Sequence, residues 1–241
     1  ASGLVPSSFR ILRQLLSRIE DEVSGEIIVD ALQTNIPDHR IDEVKKMVSA
    51  LGGKTEAFPW HEKMAPSTED PVEGTLRRTW TPTLSYVGMG GIPAVKDGGN
   101  VLRPYTILKL SFRLPPDVDC HIAMAAIDKV LKNDPPSDAT VRLKWEEPAN
   151  GWNAPKLSSW LDCAIQEASE SFYGKPALAM GEGGTIPFMA MLGEKFPEAQ
   201  FVITGVLGPE SNAHGPNEFL HIPFAKKLSA CIGYILNQYP R

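Results

Sequence analysis

The stretch TILKLSFRL, residues 106 to 114, alternates apolar and polar positions. That period of two predicts a strand with one buried and one exposed face. PTLSYVGMGG, just before it, reads as a partner strand. Helical spacing appears on either side. In VPSSFRILRQLLSRIEDEVSG, Phe9, Ile11, Leu12, Leu15, Leu16 and Ile19 fall on one face, with Pro6 or Ser7 near the start. DHRIDEVKKMVSALGG predicts a short helix ended by Gly52 and Gly53. KTEAFPWHEKMAPSTEDPVEG is rich in proline and charge and predicts irregular chain. DCHIAMAAIDKVLKND is an amphipathic helix opened by Asp117 or Asp119, and DATVRLKWEE is a further strand. Together these predict an α+β domain, with an antiparallel sheet carrying helices on one face.

The pattern changes at EEPANGWNAPKLSS, which is polar and turn-rich. The domain boundary belongs there, giving residues 1–150 and 151–241. The second part predicts a helix over 156–172, a short strand KPALAM and a helix after GEGGTIP. The strand AQFVITGVL and a closing helix from Glu218 complete it. A nearly all-apolar strand between helices predicts a buried, largely parallel α/β sheet. So short a piece is too small to cover both faces of such a sheet alone.

Bulk composition narrows the function classes. Hydrophobic residues make up 42% and charged residues 22%, values of an ordinary globular chain. A formal net charge of −5 argues against nucleic acid as the partner. No apolar run reaches bilayer length, and the first residues lack the basic start and apolar core of a signal peptide. Cys120, Cys163 and Cys231 are far apart and form no CxxC pair. They read as reduced packing residues, so a cytoplasmic location is expected, with neither membrane nor nucleic-acid partner.

Three places could carry chemistry. MGEGGTIP lies between a predicted strand and a predicted helix. Paired glycines let a backbone approach a ligand, and a helix N-terminus favours an anion. The same residues could form only a tight turn, with Thr185 capping the helix. The spacing is not that of a dinucleotide-binding fingerprint. Arg113 ends the alternating strand and could clamp a carboxylate with two parallel hydrogen bonds, or be an ordinary exposed charge. His214 follows the apolar strand in GPESNAHGPNE; it could be a metal ligand or a loop histidine capping the next helix. No HxH, HExxH or HxxxH spacing links it to the other histidines. His221 reads as a histidine inside the closing helix.

VPSSFRIL, RTWTPTLSYVGMGG, GNVLRPYTILKLSFRLPP, GEGGTIP and GPESNAHGPNE occur in this order. In that order they resemble the two-metal metallopeptidase family of carnosine dipeptidase, aminoacylase and succinyl-diaminopimelate desuccinylase, most of all the carnosine dipeptidase branch. The resemblance implies a lid domain that carries a homodimer interface, followed by the C-terminal α/β part of a zinc-peptidase-like catalytic domain. It implies hydrolysis of an amide bond in a small peptide or N-acyl amino acid. The cofactors implied are two divalent metals, zinc foremost, with manganese and cobalt as alternatives. His214 is implied as a metal ligand and Asn100 as the residue that polarises the scissile carbonyl. Arg113 is implied as the carboxylate grip, with Glu182, Gly183, Gly184 and Thr185 as the substrate loop.

The departures matter too. The family's upstream ligands, an HxD motif, a bridging aspartate and a Glu-Glu-x-Gly motif, have no counterpart in this sequence. The expectation is therefore a fragment lacking the N-terminal metal-binding segment and inactive on its own. The rival expectation is a non-catalytic dimerisation or interaction module derived from the family. Thr185 stands where some members have serine. Gly181 stands where some dipeptidases have arginine, which leaves the choice among dipeptide and acylated substrates open.

Overall fold

The computed structural model describes residues 1–53, 60–183, 187–207 and 210–240. The chain divides into two compact units. The first is Ala1–Trp152 with Met180–Ala190, and the second is Asn153–Ala179 with Met191–Arg241.

In the first unit, helix α1 (Ser8–Leu16) and helix α4 (Cys120–Lys132) both contribute to a shared core. Cys120, Ala123, Ile127 and Leu131 recur at three- and four-residue spacing along α4, and all four are buried. Ala123, Ile127 and Leu131 meet Leu15 and Ile19 from the α1 side, with Ile27, Val29, Leu32 and Val118 closing the cluster. Strands β1 (Thr83–Gly90) and β2 (Ile107–Arg113) pair antiparallel. Leu84 and Phe112 stand opposite each other and pack on the same core. Leu108, Leu110 and Phe112 are half-buried while Ile107, Lys109, Ser111 and Arg113 are exposed, as the alternation of β2 predicts. The register slips by one residue between Tyr86 and Gly88, leaving Val87 as a bulge.

Local chemistry explains where the helices stop and start. Helix α2 (Asp38–Ala50) ends at Gly52 and Gly53, both with positive φ. The amide of Gly53 donates to the Val48 carbonyl at 2.9 Å, and that of Gly52 to Ser49 at 3.1 Å. This pair of bonds satisfies carbonyls that the helix leaves open. At the other end of the unit's core, the Arg18 guanidinium donates to the carbonyls of Asn133 and Asp134, each at 2.7 Å. A cation is thus fixed at the negative end of α4.

Asp119 caps the start of α4, accepting from the amides of His121 at 2.8 Å and Ile122 at 3.0 Å. The bonds from Ile122 and His121 hold its carboxyl below the ordinary aspartate value. A depressed folded value stabilises the fold above the unfolded pKa of about 3.9, and the effect is lost as pH falls through the folded value. Asp119→Ala should therefore lower stability at neutral pH, and its gap to wild type should narrow in acid. Urea denaturation at about pH 7 and about pH 2 checks this; an equal gap at both would mean the charge contributes nothing.

The sequence expectations fail at several places. Residues 139–147 form no strand. Val141, Leu143 and Trp145 do alternate inward onto the core. The segment is tied by side chains, Lys109 to Glu146 at 2.8 Å and Trp145 to Asp128 at 3.4 Å, rather than by a backbone ladder. Helix α3 (Pro71–Trp80) begins inside the stretch that reads as irregular, residues 54–74, and runs on through residues for which no element is predicted. Asp70 caps it through the amides of Val72 and Glu73, Pro71 fits its first turn, and Val72 and Leu76 pack on Val44, Met47 and Val48 of α2.

The second unit carries the other corrections. Helix α5 (Ser159–Tyr173) packs against helix α7 (Ile222–Asn237), where Leu161, Ala164 and Ala168 meet Cys231 and Ile235. Small side chains at Ala164 and Ala168 let the two helices approach. Neither KPALAM nor AQFVITGVL is a strand. The Ala177 amide and carbonyl are both bonded to the Gln166 side chain, at 3.0 and 3.2 Å, which takes the place of a sheet neighbour. Val202, Ile203 and Leu207 are exposed. An apolar strand is buried only when partner strands and covering helices exist, and among the described residues none pairs with this run. The closing helix starts at Ile222 instead of Glu218, because His221 caps it: its Nδ1 accepts from the Phe224 amide at 3.1 Å. Cys120 and Cys231 are buried packing residues as expected, whereas Cys163 is exposed. Among the described residues no helix is long and apolar enough to cross a membrane.

Candidate functional site

Arg113 and the glycine loop come together inside the first unit. Arg113 is the last residue of β2 and projects on the exposed side of the alternation. Its Nη1 donates to the Gly183 carbonyl. Beneath the loop lies the last turn of α3. A Cβ placed on Gly181 would sit 3.2 Å from Thr79 Cγ2 and 3.4 Å from Thr79 Cβ. One placed on Gly183 would sit 2.8 Å from the Arg78 carbonyl oxygen, which cannot move without the helix. Glycine at 183 is therefore a consequence of close backbone approach. Glu182, between them, is exposed. Gly184 and Thr185 lie outside the described residues. Helix α6 (Pro187–Lys195) follows.

Asn100 belongs to the same unit but stands apart from this group. It is exposed in a bend before β2 and makes no hydrogen bond among the described residues.

His214 belongs to the second unit. The loop around it is built from left-handed residues: Glu210, Asn212, His214 and Asn217 all have positive φ, with His214 at 60°. Asparagine and histidine are among the residues that enter this region most readily. Side chains close the loop. Asn212 Nδ2 donates to the Pro216 carbonyl at 2.6 Å, and the His214 amide donates to Glu218 Oε2 at 3.1 Å. The Gly215 amide donates to the Asn212 carbonyl at 2.9 Å. The imidazole itself is exposed and has no hydrogen-bond partner among the described residues. Its expected role as a cap is filled by His221 instead.

Three solved structures share this architecture across nearly the whole chain. The di-peptidase Dug1p from Saccharomyces cerevisiae superposes with a TM-score of 0.71 at 19% identity, over 99% of this chain and 51% of its own. The fold is shared with peptidases. An M20 family metallo-carboxypeptidase from Sulfolobus solfataricus gives 0.68 at 20% identity, over 96% of this chain and 52% of its own. Human carnosine dipeptidase 1 gives 0.65 at 19% identity, over 98% and 50%. By sequence, a cysteinylglycine-S-conjugate dipeptidase of Corynebacterium striatum is 27% identical over 156 residues, covering 60% of this chain and 33% of that protein. No family model matches the chain. The chain thus spans about half the length of the solved peptidases it matches, and about a third of the curated relative.

The last turn of α3 is the part of this arrangement that sequence reasoning missed. Arg78 and Thr79 touch the loop, yet they lie between the stretch that reads as irregular and the predicted strand, where no element is predicted. The signal was present in TEDPVEG. An aspartate followed by proline and, two residues later, glutamate is a helix-start pattern. Charge density on the preceding residues obscured it.

Proposed function

We propose that these 241 residues are part of a metal-dependent peptidase that cleaves the amide bond of small carboxylate-bearing substrates, dipeptides or N-acyl amino acids. The observation that carries the reading is the pairing of Arg113 with the glycine loop, in a chain whose fold matches dipeptidases. A guanidinium at a strand end, beside a loop whose backbone lies too close to α3 for a side chain at Gly183, is suited to a small ligand with a carboxylate. The relative from Corynebacterium striatum supports dipeptides as the first substrates to try.

The resemblance implies a two-metal centre. Two metals about 3.5–4 Å apart need several carboxylates and imidazoles. Among the described residues no three His, Cys, Asp or Glu side chains gather in one place. These residues do not by themselves fit the centre. In this reading His214 contributes one ligand, and the remaining ligands come from segments beyond these residues. Asn100 and the loop residues Glu182 to Thr185 keep their proposed roles at the substrate. The chain without those segments is inactive, and the first unit joins a second copy of itself. Tyr86, Val87, Met89 and Ile107 support the last point, since they expose apolar surface on the sheet.

One preparation tests the reading. The complete protein is measured for bound zinc, manganese and cobalt, for sedimentation as a dimer, and for hydrolysis of dipeptides and N-acetyl amino acids. Metal with dipeptide or N-acyl hydrolysis is the expected result. A dimer that binds no metal and cleaves neither class would overturn the peptidase reading in favour of an interaction module.

A further inference from the structure

The contacts beneath the glycine loop give Arg113 a second property, which rests on the peptidase reading for its consequence but not for its geometry. Nη1 of Arg113 donates to the Gly183 carbonyl. Among the described residues its Nε and Nη2 make no hydrogen bond. Guanidinium recognises a carboxylate along an edge, with two parallel N–H bonds. Anchoring Nη1 to a carbonyl leaves the Nε–Nη2 edge for that purpose. An arginine at a strand end otherwise has many rotamers, and holding one of them lowers the ordering cost when a ligand arrives.

The carbonyl can do this only if its own position is held. Gly181 and Gly183 provide that by resting on the last turn of α3. The approach is so close that a side chain at Gly183 would collide with the Arg78 carbonyl oxygen at 2.8 Å. At Gly181 the backbone φ is not positive, so a side chain there meets only Thr79.

The geometry points to the C-terminal turn of α3 as the seat of the glycine loop, with the Gly183 carbonyl as the group that positions Arg113 for a ligand carboxylate. The seat joins three segments that are remote in sequence, at residues 78–79, 113 and 181–183. It makes Thr79 and Gly183 positioning residues for the substrate grip, acting through Arg113 and not on the substrate. It also accounts for glycine at position 181, since a large side chain there could not lie against Thr79.

A cross-link reads the seat directly. The Cβ positions of residues 79 and 181 are 3.4 Å apart, beside the range of roughly 3.5–4.5 Å that disulfides span. Thr79→Cys with Gly181→Cys, in a Cys163→Ser background to remove the exposed thiol, should close a disulfide under mild oxidation of the complete protein. Peptide mass mapping detects it. Adding Arg113→Ala should slow closure about tenfold, since a charge-assisted bond to the loop is lost. Arg113→Lys should restore the rate, because one N–H suffices for the Gly183 carbonyl. In the complete protein the oxidised, locked form should hydrolyse dipeptides with kcat and KM within about twofold of the reduced form. No disulfide, or closure indifferent to Arg113→Ala, overturns the seat. Activity lost on oxidation and regained with reductant overturns the positioning role, because the loop would then have to leave its seat during turnover. Should wild type itself cleave no dipeptide or N-acyl substrate, the peptidase reading fails, while the cross-link still decides whether the seat exists.

Discussion

Replacing His214 with alanine in the complete protein is expected to abolish peptide hydrolysis and lower metal content while leaving the fold intact. The side chain is exposed and touches no core cluster. Its loop is closed by the Asn212 side chain and by the backbone amide of residue 214 bonded to Glu218, and neither contact needs the imidazole. A surface truncation of this kind changes stability by about 0.5 kcal/mol or less. The one structural cost comes from the positive φ of residue 214. Alanine enters that region less readily than histidine, whereas asparagine enters it easily. His214→Asn is therefore the control: it keeps the backbone and removes the imidazole. Both variants should melt within a few degrees of wild type and both should lose activity. Metal analysis, circular dichroism and a dipeptide assay on the three proteins decide the matter. Variants with wild-type metal content and rate would leave His214 a loop histidine and remove it from the proposed site.

How far the fold was readable depended on whether its cause was local. Strand β2 was legible because its partner face and its solvent face are written every second residue. Helix α4 was legible because Asp119 caps it and Cys120, Ala123, Ile127 and Leu131 form one stripe. The end of α2 was legible because two glycines can take the left-handed angles that a helix stop requires. The failures concern partners. Val141, Leu143 and Trp145 carry the alternation of a strand, but alternation does not say which backbone will accept the hydrogen bonds. Residues 200 to 207 carry the composition of a buried strand, yet composition cannot create the neighbours that would bury it. His221 sits next to the apolar run of α7, and its use as a cap depends on ring orientation, which spacing does not encode.

The candidate site divides along the same line. The geometry unites Arg113 with Gly183 and adds Thr79 and Arg78, which no periodicity announced. Contact between residues 113 and 183 is a tertiary fact. The resemblance to metallopeptidases named the two ends of that contact without the surface that supports them. Asn100 and Glu182 remain exposed, so their proposed roles rest on the resemblance and on the assays above.

Arg113→Lys should lower kcat/KM for a dipeptide about a hundredfold in the complete protein. Lysine preserves the charge and can still donate to the Gly183 carbonyl, so the loop seat survives. What it loses is the planar edge: an ammonium offers no pair of parallel N–H groups to a carboxylate. Charge-assisted bonds are worth about 1.5–3 kcal/mol each, and a hundredfold loss corresponds to about 2.7 kcal/mol. The division between kcat and KM is informative. If the grip holds substrate equally in the ground and transition states, the loss falls on KM; if it aligns the amide for attack, the loss falls on kcat. A substrate amidated at its C-terminus supplies the second arm, because it has no carboxylate to grip. Wild type should discriminate against it, and Arg113→Lys should discriminate much less. Full activity of Arg113→Lys on the free acid, with wild-type discrimination against the amide, would move the carboxylate site elsewhere and leave Arg113 as the anchor of the glycine loop alone.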